Sequence, residues 1–73
     1  MNIVVEKENI LQEIGLTKQE TRTYLGLVEL GETKTGRLCK HIGIASSNIY
    51  RILDSLVKQG LATYRLQNNI KIY

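Results

Sequence analysis

Residues 46–51 place five polar side chains in a row broken only by Ile49: Ser46, Ser47, Asn48, Tyr50 and Arg51. These groups match the edges of nucleobases and the oxygens of phosphates. An asparagine amide can take adenine N6 and N7 together, and a guanidinium can take guanine O6 and N7. Each such pair is worth about 1–3 kcal/mol of discrimination between bases. Serine hydroxyls and the free amides of a helix start suit phosphate oxygens, and Tyr50 can donate to a phosphate or lie against a thymine methyl. A second set follows at Arg65, Asn68, Asn69 and Lys71, two cations about a polar tip, suited to gripping phosphate beside a groove. Lys34, Arg37 and Lys40 precede both sets and can flank the same site. Each set has a plainer reading: capping residues of an ordinary helix, charges that shield a hairpin edge, and solvated lysines and arginines.

Other chemistry finds little support. Cys39 and His41 are two apart, so on a helix they point to different sides, and no further Cys or His exists to complete a zinc shell. A nucleophile–base pair would lack a third group to orient it. No catalytic residue, metal site or cofactor is expected, and Cys39 reads as a small core residue.

The elements that must position these residues follow from apolar spacing and caps. Ile10, Leu11 and Ile14 predict a helix over about 6–14 that stops at Gly15. Thr17 followed by Glu20 has the form of a capping box and opens a helix over 18–30, with Tyr24, Leu25, Val28 and Leu27 turned inward. Residues 32–35 are short and tolerate a minor strand. A third helix over 36–42 buries Leu38, Cys39 and Ile42, and Gly43 with Ile44 makes a turn and an apolar plug. A fourth helix over 46–59 buries Ile49, Ile52, Leu53, Leu56 and Val57 and ends at Gly60. A hairpin, 61–66 with 70–73, closes the chain. Side-chain alternation favours a three-residue loop at Gln67, Asn68 and Asn69, which pairs Leu66 with Ile70 and sets Arg65 opposite Lys71. The fold class is mainly α with a small β-hairpin, the order of a winged helix-turn-helix, in which the fourth helix enters a major groove by its N-terminus.

The charge distribution points the same way. The net charge is +3 over 73 residues. Residues 1–32 carry three cations against six glutamates, a net −3, whereas residues 33–73 carry seven cations against Asp54 alone, a net +6. A basic half beside an acidic half suits a polyanionic partner. One cysteine suits a reducing compartment, no apolar run approaches the roughly 20 residues of a membrane span, and a cytoplasmic protein is expected. At this length a single unit is expected, with residues 1–15 as a helical segment and 16–73 as the winged domain.

With these residues in place the chain resembles a known family. The string LTKQETRTYLGLVELG at residues 16–31, Gly43 with Ile44, SNIYRIL at 47–53, Leu56 and KQGL at 58–61 are similar to the DNA-binding domain of TrmB-type transcriptional regulators, and more broadly to MarR-like repressors. The resemblance covers roughly residues 10–73. It implies sequence-specific binding of double-stranded DNA, usually by a homodimer, with Ser47, Asn48, Tyr50 and Arg51 facing the groove. The chain departs from the pattern at Ala45, where relatives commonly carry Ser or Pro, so Ser46 is expected to cap one residue later. Larger members also carry a C-terminal sugar-sensing region, so sugar sensing does not transfer and no small-molecule effector domain is evident.

The expected function is a dimeric, prokaryotic or viral, DNA-binding transcriptional regulator. Its surplus apolar residues Ile3, Val4, Val5, Ile10, Leu11 and Ile14 make residues 1–15 the candidate dimerisation element. A winged-helix protein-docking module without groove reading is the alternative. RNA or single-strand binding through exposed Tyr50 and Tyr73 is a third reading.

Overall fold

A computed structural model describes residues 10–73. Ile3, Val4 and Val5, with the beginning of the expected 6–14 helix, lie outside the described residues. Among those described, α1 comprises residues 10–13 and closes at Gly15, whose φ is +105°. It is followed by α2 (Lys18–Leu30), α3 (Thr35–Ile42), α4 (Ser46–Lys58), β1 (Arg65–Gln67) and β2 (Ile70–Ile72).

The capping box forms as the sequence predicts. Thr17 Oγ1 accepts from the Glu20 amide at 3.1 Å, and Glu20 Oε1 accepts from the Thr17 amide at 3.0 Å. The inner face of α2 differs from expectation. It buries Glu20, Thr21, Thr23 and Gly26, while Tyr24, Leu25 and Leu27 are half-buried and Val28 is 61% exposed. Close helix packing explains the roll. A Cβ at position 26 would overlap the Ile42 γ2-methyl, so the helix turns its smallest residue to α3 and its valine outward. Thr21 and Thr23 can be buried because their hydroxyls donate to the Thr17 and Gln19 carbonyls at 2.9 and 2.8 Å, leaving only methyl groups to pack.

α3 starts one residue earlier than expected, at Thr35, and ends at Gly43, whose φ of 72° and ψ of 33° put it in the left-handed conformation. Here glycine is the residue without a Cβ penalty. Arg22 of α2 donates to the Ile42 carbonyl at the same end, and Ile44 plugs the core beneath the turn. α4 then contributes Ile49, Ile52, Leu53 and Leu56, which with Leu16, Leu38, Ile44, Ile72 and Tyr73 form the buried apolar core. α2 packs on both α3 and α4, and α3 packs on α4.

The hairpin needs correction. Residues 61–64 are not strand, and the register is Arg65 with Ile72, Leu66 with Lys71 and Gln67 with Ile70. The loop is therefore the two-residue turn Asn68-Asn69, with φ of 52° and 64°. Two left-handed asparagines suit the type I′ turn, whose twist matches that of a hairpin. The face-mixing that argued for a longer loop carries little penalty here, because Leu66 and Ile70 are exposed in any case. Arg65 and Lys71 consequently stand on opposite faces. The expected minor strand is reduced to one residue: Thr33 and Tyr73 exchange both backbone hydrogen bonds, at 3.0 and 2.9 Å. That pair ties the wing to the loop before α3. The architecture is a winged helix-turn-helix.

Candidate nucleic-acid interface

Ser46, Ser47, Asn48 and Arg51 all lie on the exposed face of α4, at or near its N-terminus. The capping role they might have played is absent. The N-cap is Ala45, no side chain caps the helix, and Ser46 is its first residue, so the expectation that Ser46 caps is corrected. The Asn48 amide is satisfied by the Ala45 carbonyl at 3.0 Å. Among the described residues, the side chains of Ser46, Ser47, Asn48 and Arg51 make no hydrogen bond within the protein. Arg51 shares a shallow depression with Asp54, Ser55 and Lys58.

Tyr50 is placed differently. Half exposed, it sits within 3.2 Å of Thr35 Oγ1 through its hydroxyl, so it joins the start of α4 to the start of α3. Both helix starts are thereby held as one edge. Lys34 is the N-cap of α3 and supplies no side-chain cap, leaving first-turn amides of that helix open as well.

The anchors of α4 come from its far end. Glu20 Oε2 accepts from Ser55 Oγ at 2.5 Å and from Gln59 Nε2 at 2.8 Å, which fixes the last turns of α4 to the first turn of α2. These bonds, Ser55 foremost and then the Thr17 amide, outweigh the opposing effect of burial and lower the Glu20 carboxyl to a pKa of about 2. Nothing in the sequence marks Glu20 for this second role, since 35 residues separate it from Ser55.

The basic residues of the wing are divided between its two faces. On one face Lys71 stands over the Tyr64 ring, 4.5 Å from its centroid, and Tyr64 in turn packs against Tyr73 at 5.7 Å between centroids. A cation held this way keeps its charge toward solvent on a fixed platform. On the other face Arg65 is engaged by Glu32, with Nε and Nη2 donating to Oε2 at 3.1 and 2.9 Å and Nη1 donating to Gln67 Oε1 at 3.1 Å. Arg65 lines a recess with Lys34, Arg37, Glu32, Thr33 and Ile72. The structure thus brings Lys34, Arg37 and Arg65 together and leaves Lys71 apart. Asn68 and Asn69 occupy the exposed wing tip.

Tyr73 is buried, which removes it as an exposed stacking platform; Tyr64 is the exposed aromatic of the wing. The Tyr73 hydroxyl is buried without a hydrogen-bond partner among the described residues. Burial first, then the Asp54 carboxylate and the Tyr50 and Tyr64 phenols, push its pKa above the ordinary range. It remains a neutral phenol between the wing and α4. His41 is exposed and contacts Glu29 at 2.7 Å across α2 and α3. Cys39 is half-buried against the core. Among the described residues, no group of three or more His, Cys, Asp or Glu could hold a metal ion, and no helix is long and apolar enough to cross a membrane.

The family described as sugar-specific transcriptional regulator TrmB matches residues 11–73. The chain is 44% identical over 50 residues to the HTH-type sugar sensing transcriptional regulator TrmBL1 of Pyrococcus furiosus. That match covers 68% of this chain and 15% of the relative. No solved structure gives a significant match.

Proposed function

The chain belongs to the TrmB family of transcriptional regulators, and from that premise we propose that it binds double-stranded DNA sequence-specifically, with the start of α4 in the major groove and the wing on the backbone. One observation carries this reading. Ser46, Ser47, Asn48 and Arg51 are exposed and without side-chain partners among the described residues, on a helix whose opposite end is locked by Glu20. Hydrogen-bonding groups held rigidly and left unsatisfied are suited to a polar surface that supplies the missing partners. Asn48 and Arg51 read base edges, Ser46, Ser47 and Tyr50 meet flanking phosphates, and Lys71 with the Asn68-Asn69 tip follows the backbone.

A homodimer fits the same reading. Ile10 and Ile14 at the end of α1 and Val28 on α2 are 59%, 64% and 61% exposed, and Ile10, Leu11, Tyr24, Leu25 and Val28 line an apolar groove. A second copy seated there would cover them and set two recognition helices about 34 Å apart on successive major grooves. The setting is the cytoplasm of a prokaryotic cell. Sugar sensing stays with the relative, most of whose length lies outside the match.

Selection of bound sequences from a random duplex pool, at low and near-physiological salt, tests the proposal. The expected product is an inverted repeat with half-sites about one helical turn apart. A pool that stays random, with binding that vanishes as salt rises, would leave only the attraction of a basic surface and favour a protein-docking module.

The uncapped start of α4 gives a separate expectation. Ala45 has the extended backbone of an N-cap, with φ −63° and ψ 141°. Ala45→Ser should raise stability in urea unfolding by about 1 kcal/mol. It should also weaken DNA binding, because the new hydroxyl takes a first-turn amide that a phosphate would otherwise use. A gain in both quantities would show that these amides do not face the ligand.

A further inference from the structure

The recess at the wing's base holds three cations and one acid, and the acid is on the most constrained of the three. Glu32, in the loop between α2 and α3, takes two of the three guanidinium nitrogens of Arg65 on a single carboxylate oxygen, and Gln67 takes the third. Lys34 and Arg37 line the same recess, and among the described residues neither side chain makes a hydrogen bond or ion pair. Both members of the Arg65–Glu32 pair are more than half exposed, 52% and 67%. An exposed pair of this kind contributes little to folding. A phosphate offers the guanidinium the same geometry of acceptors as a carboxylate. The pair is therefore cheap to exchange, and its weight falls on binding instead of on stability.

We infer that Glu32 competes with DNA phosphate for Arg65 and so acts as a brake on sequence-independent binding. This rests on the DNA-binding reading above. With Glu32 in place, random DNA meets Lys34 and Arg37 in this recess while Arg65 remains occupied by an internal anion. Neutralising Glu32 releases Arg65 as a further phosphate contact. Each added contact steepens the dependence of log K on log salt by about 0.9, which corresponds to roughly threefold more affinity lost between 50 and 200 mM salt.

The test measures binding of the full chain to a random-sequence duplex across that salt range for wild type, Glu32→Gln, Arg65→Ala and the double variant. Glu29→Gln serves as the charge control, since it removes the same charge from a residue that contacts His41 and not Arg65. Glu32→Gln is expected to bind random DNA more tightly at low salt and with a slope steeper by about 0.9 per bound protomer. The gain should disappear in the Arg65→Ala background and be absent in Glu29→Gln. An unchanged slope in Glu32→Gln would overturn the inference while leaving DNA binding standing. So would a gain that survives Arg65→Ala or is matched by Glu29→Gln, because the effect would then be net charge alone. Wild type without any salt-dependent binding would remove the DNA reading itself, and the inference with it.

Discussion

Glu20→Ala is expected to destabilise the domain by about 2–3 kcal/mol, the cost of stranding partners of a buried, charge-assisted hydrogen-bond network. Its carboxylate serves the Thr17 amide, Ser55 Oγ and Gln59 Nε2 together. A chain of 73 residues buries too small a core to hold more than about 3–5 kcal/mol in reserve, so the loss takes most of the stability. The same group predicts an acid limb. Its folded pKa of about 2 lies below the ordinary value of 4.5. The carboxylate's contribution is therefore complete above about pH 4.5 and is lost progressively as pH falls toward 2. Urea unfolding followed by circular dichroism at pH 7, 4.5 and 2.5 reads both effects. Wild type should lose stability across the acid window. Glu20→Gln, already weaker at pH 7 because its amide cannot accept from every partner, should show a flatter profile there. Equal acid sensitivity in the two proteins would assign the limb to other carboxylates.

How far the sequence disclosed this arrangement depended on the range of the interaction. The Thr17–Glu20 box, the glycine turn at Gly43 and the apolar stripe of α4 are local, and each was legible because its partners lie within one or two helical turns. Val28 was misread because hydropathy ranks valine above glycine and threonine, whereas the closeness of α2 to α3 is decided by volume at Gly26. The wing register was misread because side-chain alternation determines pairing only where a face is buried, and here the two left-handed asparagines determine it instead. Glu32, which engages Arg65, and Ser55 and Gln59, which engage Glu20, lie more than thirty residues from them, and no periodicity reports such contacts. The polar start of α4 was legible as a group. That it is uncapped, and so has hydrogen-bonding capacity to spare, needed the geometry of Ala45.

Arg51→Ala and Lys71→Ala should separate reading from gripping. Arg51 projects from an anchored helix without a partner among the described residues, so its guanidinium can meet a guanine edge. Its loss is expected to cost about 1–3 kcal/mol on the selected site and to relax the preference at one position of each half-site. Lys71 sits over the Tyr64 ring on the wing, and in the proposed complex it would meet only backbone. Lys71→Ala should weaken specific and random duplexes alike and flatten the salt slope by about 0.9 per bound protomer. Asn48→Ala sharpens the contrast because the asparagine is uncharged: affinity should fall on the selected site with the slope unchanged, and random DNA should bind as before. Competition titrations of the three variants against selected and random duplexes, each at several salt concentrations, give the ratio of specific to random affinity. That ratio should drop for Arg51→Ala and Asn48→Ala and hold for Lys71→Ala. If all three lost the same factor on both duplexes, α4 would be another basic surface and not the element that reads sequence.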